Sequence, residues 1–543
     1  MTTRTRRPVR SLLAFVLVFL ITGGFASAFN AEAAHAATYI PITGTGSTWS
    51  QNALDQWRKN VAANYGMTVN YSGVGSSAGR RDFIQGTVDY AVSEIPFQSA
   101  PEDGSAPEKP ANGFAYMPIV AGGTSFMYNL KIGGKKVTNL RLGGETLTKI
   151  FTGVITNWND PQIAKDNPGL AMPDKAIVPV VRSDGSGSTA QFTLWMSKQH
   201  SALWNAFCAS VKRPSPCGLT SQYPTFGNAK AQNGSLGVAG YVGQDYGEGA
   251  ITYVEYSYAL KSGFPVAKVL NSAGYYVEPT ASSVAVALLK AQINENASSP
   301  DYLTQILDGV YNSADARTYP LSSYSYMIVP TQVAGIFTAE KGATLGAFTS
   351  YLLCEGQQQA ADLGYSPLPM NLVMAASAQV KRIPGANPAG IDLAKCNNPT
   401  FKPGDSPDNN QLAVSAPQPA ACDKQGPDQC TTGTGGAPEA TPTTGTGNGG
   451  DSAAGAGGAA AGASTAAAGA TGDAPLYDEN GALLAGSTSL GGAVSSPFTL
   501  GDSGFGGSQF VMLFAGILVI AAVALPPVLS KRLKRLGGKN PGQ

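Results

Sequence analysis

Arg182-Ser183-Asp184-Gly185-Ser186-Gly187-Ser188-Thr189 follows a short β-rich run, Ile177 to Val181, and opens a stretch with helical spacing. Two other segments repeat this order of strand, then glycine with serine or threonine, then helix. They are Gly44-Thr45-Gly46-Ser47-Thr48-Trp49 and Gly73-Val74-Gly75-Ser76-Ser77-Ala78-Gly79. Glycine lets a backbone approach a ligand, while the hydroxyls donate hydrogen bonds and cap the helix. A helix start presents free N–H groups and a partial charge of roughly +0.5, which together suit an anion. One such turn is the ordinary start of a helix after a strand; three in one chain, one of them bearing an arginine, point to a binding site.

The surrounding sequence alternates in the same way. Thr38 to Ile42, Met67 to Tyr71, Val88 to Val92 and Ile251 to Tyr256 read as strands, and Gly79 to Gln85 begins a helix. Trp49 to Tyr65 has helical periodicity, with Trp49, Ala53, Trp57 and Val61 four apart. Such alternation predicts an α/β fold with mainly parallel sheets. The pattern runs from residue 38 to about 385, more than one core comfortably holds, so two lobes are expected.

The 543 residues carry a formal charge of +1 and only 13% charged residues, which excludes a basic nucleic-acid surface. The charge is unevenly placed. Arg4, Arg6, Arg7 and Arg10 precede the apolar run Leu12 to Ile21, and Ala34-His35-Ala36 follows, as in a secretory signal covering residues 1–36. Ala26-Ser27-Ala28 offers a second cleavage point. At the other end, Phe510 to Leu529 has no charge and matches a bilayer core of roughly 30 Å. Lys531, Arg532, Lys534 and Arg535 follow, so residues 530–543 are expected as a cytoplasmic tail. Without the two ends, 27 basic face 34 acidic residues, about −7 for the middle. Between residues 397 and 509 the composition turns to Gly, Ala, Ser and Thr, most densely in Thr431 to Ala470. That interval is expected to be a flexible linker reaching ~55–65 Å.

Six cysteines fit an oxidising exterior. Cys208 with Cys217 and Cys422 with Cys430 are close enough for local loops, leaving Cys354 and Cys396, although spacing does not choose among fifteen pairings. No C-x-x-C occurs, which speaks against zinc. His35 lies in the leader, so His200 is the one histidine expected in the mature chain, and multi-His metal sites or His-based catalysis are disfavoured. There is no G-K-[ST] for a P-loop, and Gly44-Thr45-Gly46 lacks the third glycine of a dinucleotide turn. Asp184-Gly185-Ser186-Gly187 lacks the first glycine of a hydrolase elbow.

Two charged residues complete the candidate site. Arg182 offers a planar fork for two oxygens of a tetrahedral anion, and Asp184 can orient it from behind or simply serve the turn. Glu94, just past Val88 to Val92, taken alone reads as a solvated loop acid.

These segments resemble the phosphate-binding subunit of bacterial phosphate ABC importers, the PstS type. The likeness extends from about Ile42 to about Pro369 and includes Trp158-Asn159-Asp160, Gly249 to Tyr256, Tyr319-Pro320-Leu321-Ser322 and Asp362-Leu363-Gly364-Tyr365. It implies a type II periplasmic-binding-protein clamshell over residues 37–385. One lobe would hold about 38–122 plus about 318–385, and the other about 123–317. It implies phosphate contacts from Thr48, the Trp49 N–H, Ser76, Arg182, Ser186, the Gly187 N–H and Ser188. Glu94 stands where the family has Asp, as acceptor of the proton on hydrogen phosphate. Its added methylene moves the oxygens by roughly 1.5 Å, so the loop must retreat or the pocket be remodelled.

The implied protein is an extracellular, single-pass membrane-tethered binder of inorganic phosphate. It would serve an ABC permease with a cytoplasmic ATPase, without catalysis or a cofactor. The competing readings are a binder of sulfate, molybdate or a phosphorylated compound, a surface scaffold or adhesion protein that has lost its ligand, and, least supported, a secreted phosphatase.

Overall fold

The computed structural model describes residues 39–441, apart from 102–103, 215, 297, 300 and 407–409. The signal, the span 510–529, the tail 530–543 and linker residues 442–509 lie outside the described residues. Among the described residues no helix is long and apolar enough to cross a membrane.

Three parallel strands open the fold: β1 (Ile42–Gly46), paired with both β2 (Val69–Gly73) and β3 (Tyr90–Ser93). Further along the chain come β4 (Phe114–Tyr128), β5 (Val178–Arg182), β6 (Lys230–Gln232), β7 (Ala250–Glu255) and β8 (Ser322–Pro330). They join one eight-stranded sheet in the order β2-β1-β3-β8-β4-β7-β5-β6. The parallel pairs are at the two ends, as the alternation predicts. The centre is antiparallel: β4 pairs with β8 over Phe114 to Gly123, then with β7 over Thr124 to Tyr128. The change of partner between Gly123 and Thr124 separates two lobes that share a continuous strand, the first built on β2-β1-β3-β8 and the second on β7-β5-β6.

Helices cover the sheet where the sequence is periodic. In α1 (Gln51–Tyr65) the buried face is Ala53, Leu54, Trp57 and Val61, and Gly66 closes it in the left-handed conformation. Then come α2 (Ser76–Gln85), α3 (Gly187–Gln199), α4 (Gly234–Val242) and α5 (Ala339–Leu353). Trp57 is fully buried and donates its indole N–H to the Gly356 carbonyl (2.8 Å), locking α1 to the segment after α5.

Disulfides join Cys208 to Cys217, Cys354 to Cys396 and Cys422 to Cys430. The last two bear on a correction. Residues 397–441, expected within the flexible linker, pack against the folded body. On the first lobe, Thr400 Oγ1 donates to the Leu368 carbonyl (2.8 Å) close to the Cys354–Cys396 bridge. Further on, Arg317 donates to Ala413 O (2.9 Å), and Lys268 Nζ meets Asp423 Oδ2 (2.8 Å). Arg141 donates to the carbonyls of Cys422 (2.9 Å) and Asp428 (2.8 Å), and the Thr138 N–H to Thr441 Oγ1 (2.8 Å). The segment is held by polar contacts to its backbone and side chains, by one short disulfide loop and by a few buried apolar residues such as Phe401 and Ala413, which a composition average cannot register.

Candidate anion-binding site

Four helix starts meet where the lobes touch. From the first lobe come the turn before α1 and the N-terminus of α2; from the second come the N-termini of α3 and α4. The Ser77 N–H donates to the Gly185 carbonyl (3.1 Å), and the Gly187 N–H to Ser76 Oγ (3.2 Å). Thr48 Oγ1 lies 2.9 Å from Ser235 Oγ at the start of α4. The three turns quoted from the sequence therefore converge, and a fourth joins them.

Arg182 ends β5 and is 3% exposed. Its Nε donates to Asp184 Oδ1 (2.7 Å), its Nη2 donates to Asp184 Oδ2, and its Nη1 donates to Ser188 Oγ (3.2 Å) and Ser235 Oγ (3.4 Å). Asp184 thus grips the back of the guanidinium and also accepts the Gly234 N–H (2.9 Å), tying α4 to the same turn. Burial pushes the Asp184 carboxyl up, but the Arg182 pair and the N–H donors outweigh it and hold the group below the usual aspartate range. The Arg182 N–H donates to Tyr253 OH (3.2 Å), whose own ionisation burial raises to about 12, so it remains a neutral hydroxyl.

Ser186 caps α3 by accepting the Thr189 N–H (3.2 Å) and lies 2.8 Å from Ser188 Oγ. The Trp49 N–H donates to Ser47 Oγ (3.0 Å), while the buried indole ring packs edge-on against Tyr365. These bonds stay within their own turns, whereas Thr48–Ser235 and Ser76–Gly187 cross between them.

Glu94 is not a solvated loop acid: it is 1% exposed. Its Oε1 accepts from Ser47 Oγ (2.5 Å) and Ser325 Oγ (2.6 Å), and its Oε2 from Ser76 Oγ (2.8 Å). Its backbone carbonyl accepts from Gln191 on α3 (2.7 Å) and Gln305 (3.2 Å). Three hydroxyl donors occupy only part of the acceptor capacity of a carboxyl group. Gly187 sits directly against it. A Cβ there would overlap Glu94 Oε2 and lie 2.7 Å from Ser76 Oγ.

All the residues singled out in the sequence, Thr48, Trp49, Ser76, Glu94, Arg182, Asp184, Ser186, Gly187 and Ser188, fall in this cluster. Ser47, which belongs to the first quoted turn, Ser235 and Ser325 join the cluster beyond the expected contact residues. Ser235 follows β6 in Asn233-Gly234-Ser235, the same strand, glycine and hydroxyl order, and was readable by that rule. Ser325 lies inside a buried strand with no local signal. His200 stands apart, packed edge-on against Trp195, and burial lowers its pKa below the ordinary imidazole value. Among the described residues no group of His, Cys, Asp and Glu is arranged to hold a metal ion.

A family model described as a PBP superfamily domain matches residues 31–355. A phosphate-binding protein PstS of Xylella fastidiosa is 32% identical over 337 residues, covering 62% of this chain and 83% of the relative. PstS of Pasteurella multocida is 32% identical over 351 residues, 63% and 90% of the two chains. Phosphate-binding protein PstS2 of Mycobacterium bovis is 27% identical over 399 residues, 70% and 99% of the two.

Proposed function

Because this chain belongs to the PBP superfamily and, within it, to the PstS-type phosphate-binding proteins, we propose that it captures inorganic phosphate between its two lobes for import by an ABC transporter. The observation that carries the reading is the convergence of the turns: Ser76 joins Glu94 to the Gly187 N–H, while Thr48, Arg182 and Ser188 are linked to one another directly or through Ser235. Arg182 supplies the fixed positive charge. The helix starts supply N–H donors aligned with their dipoles. The hydroxyls, being able to rotate, adapt to each oxygen.

Glu94 sets the protonation state. An ionised carboxylate accepts the O–H of hydrogen phosphate, whereas sulfate brings only acceptors, and two facing acceptors without water are penalised. The added length relative to aspartate is accommodated by the hydroxyls of Ser47, Ser76 and Ser325, which hold both carboxylate oxygens. The exterior of the chain is net negative, so capture relies on these local donors and not on long-range steering.

The same reading places the binding domain outside the cytoplasm, released by residues 1–36 and tethered through residues 510–529. There it would hand phosphate to a permease driven by a cytoplasmic ATPase. The hydropathy of 510–529 and its basic flank support the tether.

Calorimetry of the wild-type domain with phosphate and with sulfate tests the proposal. Phosphate should bind at micromolar Kd or tighter, with sulfate far weaker. Glu94→Gln should narrow the ratio of the two constants by roughly 10- to 30-fold, since an amide can donate to either anion. An unchanged ratio would mean that Glu94 does not sense the ligand proton.

A further inference from the structure

We propose that Arg80, held by Glu108, is a positioning residue that fixes the Glu94 carboxylate against Ser76 and so sets anion selectivity. The inference rests on the phosphate-binding reading above.

Arg80 lies on the second turn of α2 and is 1% exposed. Its guanidinium bonds Glu108, Ser93 and Ser77, and none of these is among the groups expected to meet the ligand. It grips their neighbours. Nη2 donates to Ser77 Oγ (3.2 Å), the residue after Ser76, and Nη1 to Ser93 Oγ (3.1 Å), the residue before Glu94. Ser93 Oγ in turn donates to the Ile95 carbonyl (2.7 Å) and accepts the Ile95 N–H (3.2 Å), closing the tight turn that projects Glu94.

One planar group therefore ties the first turn of its own helix, α2, to the turn that projects Glu94, and these two elements meet as Ser76 Oγ and Glu94 Oε2 at 2.8 Å. The rigidity of the guanidinium makes it a spacer: its nitrogens cannot move independently, so the start of α2 and the Glu94 turn are held at one separation. Ser77 also makes the backbone contact to Gly185 in the second lobe, which links the same spacer to lobe closure.

Glu108 keeps the fork in its plane. Its Oε2 accepts from Arg80 Nε (2.7 Å) and its Oε1 from Nη2 (3.2 Å), while Oε2 also accepts the Gln98 N–H (2.7 Å). The Arg80 side chain is buried, the Glu108 carboxylate is partly so, and the two charges neutralise each other. A carboxylate longer than aspartate has one more torsion to restrain, and a buried fork behind its turn supplies that restraint from the backbone side.

The test compares wild type, Arg80→Lys, the double variant Arg80→Gln with Glu108→Gln, and Asp423→Asn, which breaks an ion pair far from the site. Each is measured for melting temperature and for phosphate and sulfate Kd. The double variant leaves no unpaired buried charge, so it answers the question even where Arg80→Lys fails to fold. Both Arg80 variants should weaken phosphate binding and shrink the phosphate-to-sulfate preference, each by about tenfold. Asp423→Asn should lower the melting temperature and leave both constants unchanged. Folded Arg80 variants with wild-type selectivity would overturn the positioning role while leaving phosphate binding intact. A wild-type protein that ignores phosphate would overturn the underlying reading, and this inference with it.

Discussion

Arg182→Ala is expected to weaken phosphate binding by about a thousandfold, roughly 4 kcal/mol, within the range for breaking a buried hydrogen-bonded charge pair. Two losses combine. The ligand loses its cationic donor, and Asp184, with its carboxyl buried behind the guanidinium, is left as an unpaired anion beside an anionic ligand. Removing both partners, as Arg182→Ala with Asp184→Ala, should recover part of the affinity by taking away that repulsion. The recovery stays incomplete because Asp184 also holds the Gly234 N–H. Calorimetry across the three variants decides the matter. A single variant within threefold of wild type would mean that Arg182 serves the fold and not the ligand.

Gly187→Ala is expected to cost about a hundredfold in affinity by a different route. The added methyl belongs to the second lobe and overlaps Glu94 Oε2 and Ser76 Oγ of the first. Within its own lobe it occupies the first residue of a helix, where alanine is well tolerated. The clash exists only when the lobes are shut, so the penalty of overpacking, typically about 1–3 kcal/mol, falls on closure and not on folding. The expected signature is an unligated melting temperature close to wild type together with a lost phosphate-induced shift. A variant that melts early without ligand would show that the methyl disturbs the second lobe itself.

Much of this site was legible in the sequence because it is built from local units. A strand, a glycine and a hydroxyl before a helix lie within a few residues, and three such units could be read separately. Their convergence could not be. It depends on β4 and β8, whose residues are buried almost throughout and therefore lack the polar alternation that marks a half-exposed strand. The expectation of mainly parallel pairing failed at this centre for the same reason. Glu94 illustrates the limit from another side. Its loop position suggested solvent, and only the distant Ser47 and Ser325, brought in by two other strands, make it a buried acceptor. Thr434 shows the opposite case. It falls in a low-complexity run, yet its buried hydroxyl accepts the Val266 N–H and lies within hydrogen-bond reach of the Thr138 and Val266 carbonyls.

The segment from Cys396 to Thr441 leaves the first lobe at a disulfide and ends on the second lobe beside Thr138 and Asn139. The segment is thus fastened at both of its ends, by the Cys354–Cys396 bridge and by Thr441 against Thr138 and Asn139, so a force that parts those two regions would load both fastenings.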